Sequence, residues 1–119
     1  MRTITRIKQD NRPLIFNVSL KKVGKTLQDV SDAYFIVKNV ETESDTAVFS
    51  RQRSLGQILT TGTDVVRVEV NWDSTEYTAF QVNKMYKAGV FFKFQGDDFV
   101  SENVDQLYYL IIKQDFVRA

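Results

Sequence analysis

Four carboxylates, Asp97, Asp98, Glu102 and Asp105, fall within nine residues. Calcium needs roughly six to eight oxygens converging from such a loop. This spacing lacks the fixed glycine and closing glutamate of an EF-hand, so it reads as a solvated turn. Glu41, Glu43 and Asp45 form a second acidic turn with a weaker pattern. No metal ligand is assigned to either. Two carboxylates could also cleave a glycosidic bond, but nothing fixes a pair at the required separation. Serine and threonine are frequent, yet a serine nucleophile needs a base and the chain has no His. No motif supports a Ser–Lys dyad. The expectation is a protein that is not an enzyme, with no catalytic residue and no cofactor.

Aromatic side chains offer binding chemistry instead. Trp72, Tyr77, Tyr86, Tyr108 and Tyr109 could stack on sugar rings. Tyr109 is the strongest candidate, because it lies opposite the apolar side of its strand. The same rings could equally fill a core or an interface, so a glycan is kept as the alternative ligand.

The basic residues are unevenly placed. Residues 1–25 carry Arg2, Arg6, Lys8, Arg12, Lys21, Lys22 and Lys25 against Asp10 alone, a net +6, which leaves −5 for the rest of a chain whose total is +1. Such asymmetry suggests a nucleic-acid contact or head-to-tail docking of copies. The stretch has no interleaved aromatics and no helix–turn–helix pattern, which disfavours nucleic acid. Residues 1–8 read as an arm or an edge strand, and exposed edges pair readily with other chains. Arg2, Ile4 and Arg6 are therefore the expected intermolecular contacts, and removing residues 1–8 is expected to spare the fold.

These candidates need elements to position them, and the pattern of the chain is that of strands. Met85–Phe94, MYKAGVFFKF, puts Tyr86, Ala88, Val90, Phe92 and Phe94 on one face and Lys87, Gly89, Phe91 and Lys93 on the other. Five apolar residues in line require a second layer to cover them. Leu14, Phe16, Val18 and Leu20 alternate in the same way after Pro13, as do Val66, Val68, Val70 and Trp72. Residues 33–40 carry apolar groups on both faces and suit a central strand. Shorter strands are expected at 47–50 and 57–60, and a last strand at 106–117 with Tyr108, Leu110, Ile112 and Phe116 on one side. Leu27 anchors the loop 26–32. Asp73-Ser74-Thr75-Glu76 has the form of a capping box, so one short helix is expected near 74–82.

Six to nine strands and one helix in 119 residues define a single all-β domain over 1–119. The two-faced strands favour a sandwich of two antiparallel sheets over a barrel. The absence of Cys excludes a disulfide framework and an antibody-type Cys-Trp-Cys pattern. No apolar run approaches the roughly 20 residues of a membrane-spanning helix, and no signal-peptide core opens the chain.

The order of these segments resembles the small immunoglobulin-like β-sandwich domains of tailed-phage virion proteins, and is similar to the N-terminal domain of upper-baseplate proteins. Residues 5–20, TRIKQDNRPLIFNVSL, resemble their opening strands, and residues 27–38, LQDVSDAYFIVK, their Leu, Ala and Phe-x-Val-Lys positions. Val65–Val70, the crossing 73–82, Tyr86–Phe94 and Tyr108–Val117 fill the remaining places. The resemblance implies an immunoglobulin-like fold and a structural, non-catalytic docking or adaptor role in a phage tail or baseplate. Its partners would be copies of itself and other virion proteins, without membrane. The protein would be made in the host bacterial cytoplasm and reside in the virion. A carbohydrate-binding module, and a capsid decoration or head–tail connector protein, are the alternatives.

Overall fold

The structure is a computed structural model that describes residues 2–7, 12–40, 47–72, 80–97 and 107–113. Eight strands are present among them: β1 (Arg2–Ile7), β2 (Leu14–Ser19), β3 (Val30–Asn39), β4 (Phe49–Gln52), β5 (Ile58–Gly62), β6 (Val65–Val70), β7 (Met85–Phe94) and β8 (Leu107–Lys113). They form two sheets, a five-stranded one in the order β1-β8-β7-β3-β4 and a three-stranded one in the order β2-β6-β5. With β2 to β8 read as B, C, C′, D, E, F and G, this is the immunoglobulin-like division into BED and GFCC′. The chain is an all-β sandwich of that kind.

Pairing is antiparallel throughout except at β1. That strand lies parallel to β8, from Arg2 opposite Tyr108 to Ile7 opposite Lys113. The expectation of two purely antiparallel sheets is corrected there. The first strand reaches the outer edge of the larger sheet, where it runs alongside the last. The expected helix near 74–82 falls mostly outside the described residues, and its described end at 80–82 is bend and turn. The described helical turns are short 3-10 pieces at Lys21–Val23, Leu27–Asp29 and Arg53–Leu55.

Alternation places the core. Leu14, Phe16, Val18 and Leu20 on one sheet meet Phe35, Val37, Val90 and Phe92 on the other, all buried. Val66, Val68 and Val70 are fully enclosed between them, and Leu27 packs against the edge of this cluster. β7 has the bounds the pattern gives, and its five inward residues are all buried. β3 is central, between β7 and β4.

Two local devices hold the ends of the sandwich. Gly62 closes the β5–β6 hairpin at φ +115°, where an added Cβ would collide with the carbonyl of Val65. At the other end Tyr86 opens β7 and is buried, with its ring edge-on to Phe80 at 5.0 Å. Its hydroxyl accepts a 2.7 Å hydrogen bond from the Gln81 N–H. A tyrosine at the start of this strand, bonded to backbone a few residues upstream, is a tyrosine corner. Tyr86→Phe keeps the ring and removes the acceptor, so it is expected to cost about 1 kcal/mol. A urea titration checks this: the midpoint should fall with an unchanged slope.

The crossing from β4 to β5 links the two sheets and is pinned by two charged side chains. Asp32 is buried at a register irregularity in β3. Its carboxylate accepts hydrogen bonds from Gln52 Nε2 at 2.6 Å, the Ser54 N–H at 3.0 Å and the Ala33 N–H at 2.9 Å. Arg53 donates to the Val30 carbonyl at 3.1 Å and to Thr60 Oγ1 at 3.2 Å.

Candidate functional site

The residues singled out from sequence scatter. Arg2 is exposed, Ile4 is half-buried against the core, and Arg6 is buried with its guanidinium 5.9 Å from the centre of the Trp72 ring. On the same strand Thr3, Thr5 and Ile7 face solvent. Residues 2–7 are thus built into the sandwich, and deleting 1–8 removes core contacts as well as a free edge. That reverses the expectation that the fold would be spared.

The proposed aromatic platform loses two of its members to the interior. Trp72 and Tyr86 are core residues. Tyr108 is half-buried and lies 5.0 Å from the Phe16 ring. Burial pushes its phenol above the ordinary range, against an opposing pull from Arg2. Tyr77 is outside the described residues, as are Glu41, Glu43, Asp45, Asp98, Glu102 and Asp105. Asp97 is exposed. Among the described residues no three acidic side chains come together.

A different feature emerges from the register of the larger sheet. Side chains pointing away from the core line up in rows across its strands. One row is Gln52, Tyr34 and Phe91. The next is Ser50, Ile36, Gly89 and Leu107, and the next Lys38, Lys87, Tyr109 and Thr3. Beyond them come Met85, Ile111 and Thr5. The outward face of this sheet therefore presents apolar groups in three of these four rows, and among the described residues no third layer covers it. Leu107 and Met85 remain 38% and 41% exposed.

The middle of this face is hollow. Ile36, Lys38, Lys87, Gly89, Phe91 and Leu107 line a groove of about 470 Å³. A second depression of about 320 Å³ adjoins it toward β4 and shares Ile36 and Lys38. Gly89 lies on the floor of the groove. A Cβ there would sit 2.7 Å from the Phe91 ring and 2.9 Å from Leu107 Cδ2, so the ring occupies the space a side chain would fill.

The electrostatics of the groove are one-sided. Lys38 and Lys87 stand directly opposite each other on β3 and β7. Neither has a carboxylate partner among the described residues. Toward β4, burial and the nearby Asp32 carboxylate raise the Tyr34 phenol above its ordinary value.

Alternation in the sequence puts Tyr34, Ile36 and Lys38 on one face of their strand, and Lys87, Gly89 and Phe91 on one face of theirs. It did not bring the two sets together. The outward aromatic Phe91 beside a strand glycine was the available signal. A scan against protein-family models finds no match to this chain, and a search of curated proteins finds none either.

Proposed function

We propose that this chain is a non-enzymatic structural protein of a bacteriophage particle. In this reading it is a docking or adaptor component of the tail or baseplate, and it resides in the virion after synthesis in the bacterial cytoplasm. It joins copies of itself and neighbouring virion proteins by strand edges and apolar patches. The phage assignment comes from the resemblance of the segment order. The observation that carries the docking role is the outward face of the five-stranded sheet, apolar and grooved, between the strand edges of β1 and β4, which are unpaired among the described residues. An exposed apolar patch rimmed by polar groups marks an interaction surface, and an open edge is a template for another strand. Complementary charge would then set orientation.

Light scattering over a range of concentration and salt tests this. The expected result is a defined oligomer that loosens as salt rises, because exposed charges separated by more than about 8–10 Å are screened at physiological ionic strength. A strict monomer under every condition would overturn self-docking.

The carbohydrate-binding reading keeps one observation in its favour. Tyr34, Phe91 and Tyr109 are half-buried on the same outward face. Monomeric protein with saturable binding on a glycan array would put that reading first.

A further inference from the structure

We propose that the groove over Gly89 receives an extended acidic segment of a partner protein, with one apolar side chain seated in the hollow and flanking carboxylates on Lys38 and Lys87. The inference rests on the docking role above for the choice of a protein partner, and deepens it by naming the chemistry that the partner presents.

Three observations select this occupant. The first is the pair of lysines. Like charges directly opposite on neighbouring strands destabilise a sheet. Here such a pair is kept without a carboxylate partner among the described residues. A carboxylate brought from outside relieves the repulsion, so the free protein is poised for an anion. The second is the floor. Ile36, Gly89, Phe91 and Leu107 are apolar, and the groove is of a size that takes a bulky side chain together with adjoining backbone. The third is what the lining lacks. Among the described residues the charged groups in it are the two lysines, with no side-chain amide or carboxylate beside them. A sugar needs such groups around its hydroxyls, whereas an aromatic or branched aliphatic anchor does not.

A second copy of this chain, set face to face, fits poorly. A two-fold axis through the groove would place Lys38 and Lys87 against the same pair. Like charges juxtaposed across an interface oppose association. The complementary surface is acidic.

The test is fluorescence anisotropy with the full chain and a labelled pentapeptide, one phenylalanine between pairs of glutamates. A peptide with lysines in place of the glutamates is the control. Saturable binding of the acidic peptide is expected, weakening as salt rises, with none of the basic one. The double variant Lys38→Met/Lys87→Met should bind the acidic peptide at least about tenfold more weakly. Its thermal midpoint should be unchanged or raised, because a like-charge pair has been removed. Phe91→Ala should weaken binding while the salt dependence persists. Equal affinity of the double variant, or equal binding of both peptides, overturns the assignment, as does no binding of the acidic peptide. Displacement of the peptide by a carboxylated sugar that binds more tightly also overturns it. Light scattering on the same samples separates the two readings. Peptide binding by a strict monomer upholds the groove and removes self-docking, and an oligomer indifferent to the peptide does the reverse.

Discussion

Phe35→Ala is expected to cost about 3–5 kcal/mol, much of the stability of a domain this size, which is typically about 5–15 kcal/mol. The reason is position. Phe35 is fully buried in the middle of β3, opposite Val90 on β7. Its ring lies 5.6 Å from Phe16 on the facing sheet and 6.2 Å from Phe49 on β4. It therefore touches both layers at once. Truncation removes the transfer energy of the ring and leaves a void bounded by strands on either side, which cannot close without moving a sheet. The thermal midpoint should fall by more than about 10 °C. Trp72, the single tryptophan, reports the transition, because it is buried 5.0 Å from Phe49 and 5.7 Å from Phe80. Leu59→Ala is the matched control. Leu59 is 64% exposed on β5, and its truncation should leave the stability within about 0.5 kcal/mol of the parent. Comparable losses in both variants would mean that the core is not where the burial places it.

The inward faces of β2, β3, β6 and β7 were legible because alternation is a local property. A strand with apolar residues at every second position states which side faces the core, wherever the strand ends up. What alternation does not encode is the neighbour. Nothing in Thr3–Ile7 announces a parallel partner, since the same β-branched residues suit either direction. Arg6 looks in sequence like a solvent-facing charge, yet the pairing with β8 turns it inward over Trp72. Tyr86 was assigned to the core face, but its hydroxyl bond to Gln81 depends on how the chain turns into β7.

The same limit explains the groove. Its lining comes from residues 36–38, 87–91 and 107, which are distant in sequence and adjacent only through the order β8-β7-β3. The individual signals were present: a glycine in the strand interior, an aromatic two residues on, and apolar groups on both faces of β3. Two lysines become a like-charged pair only when the register sets Lys38 opposite Lys87. Site chemistry built across strands is therefore carried by register, which single-strand patterns leave open.

Asp32→Ala should cost about 2–4 kcal/mol, and the cost should depend on pH. The side chain is buried and takes three hydrogen bonds. Its removal leaves the Gln52 amide and the Ser54 N–H without their acceptor, and frees the crossing between the sheets. Donors left unpaired away from water cost about 1–3 kcal/mol each, part of which water recovers here. Burial alone would raise the Asp32 carboxyl. The bonds from Gln52, Ser54 and Ala33 outweigh it and hold the group below its ordinary value of 3.8. The unfolded chain thus binds this proton more readily than the folded one, so stability rises with pH across this window. The contribution is complete above the ordinary value and is lost as pH falls through the lowered one. Asp32→Asn isolates the charge, since it keeps the shape and one acceptor oxygen. Denaturant titrations at a series of pH values should give two curves, the parent more stable near neutrality and the gap narrowing below about pH 4. Parallel curves down to about pH 2 would show that the carboxylate does not titrate with folding, and that Asp32 acts through its shape alone.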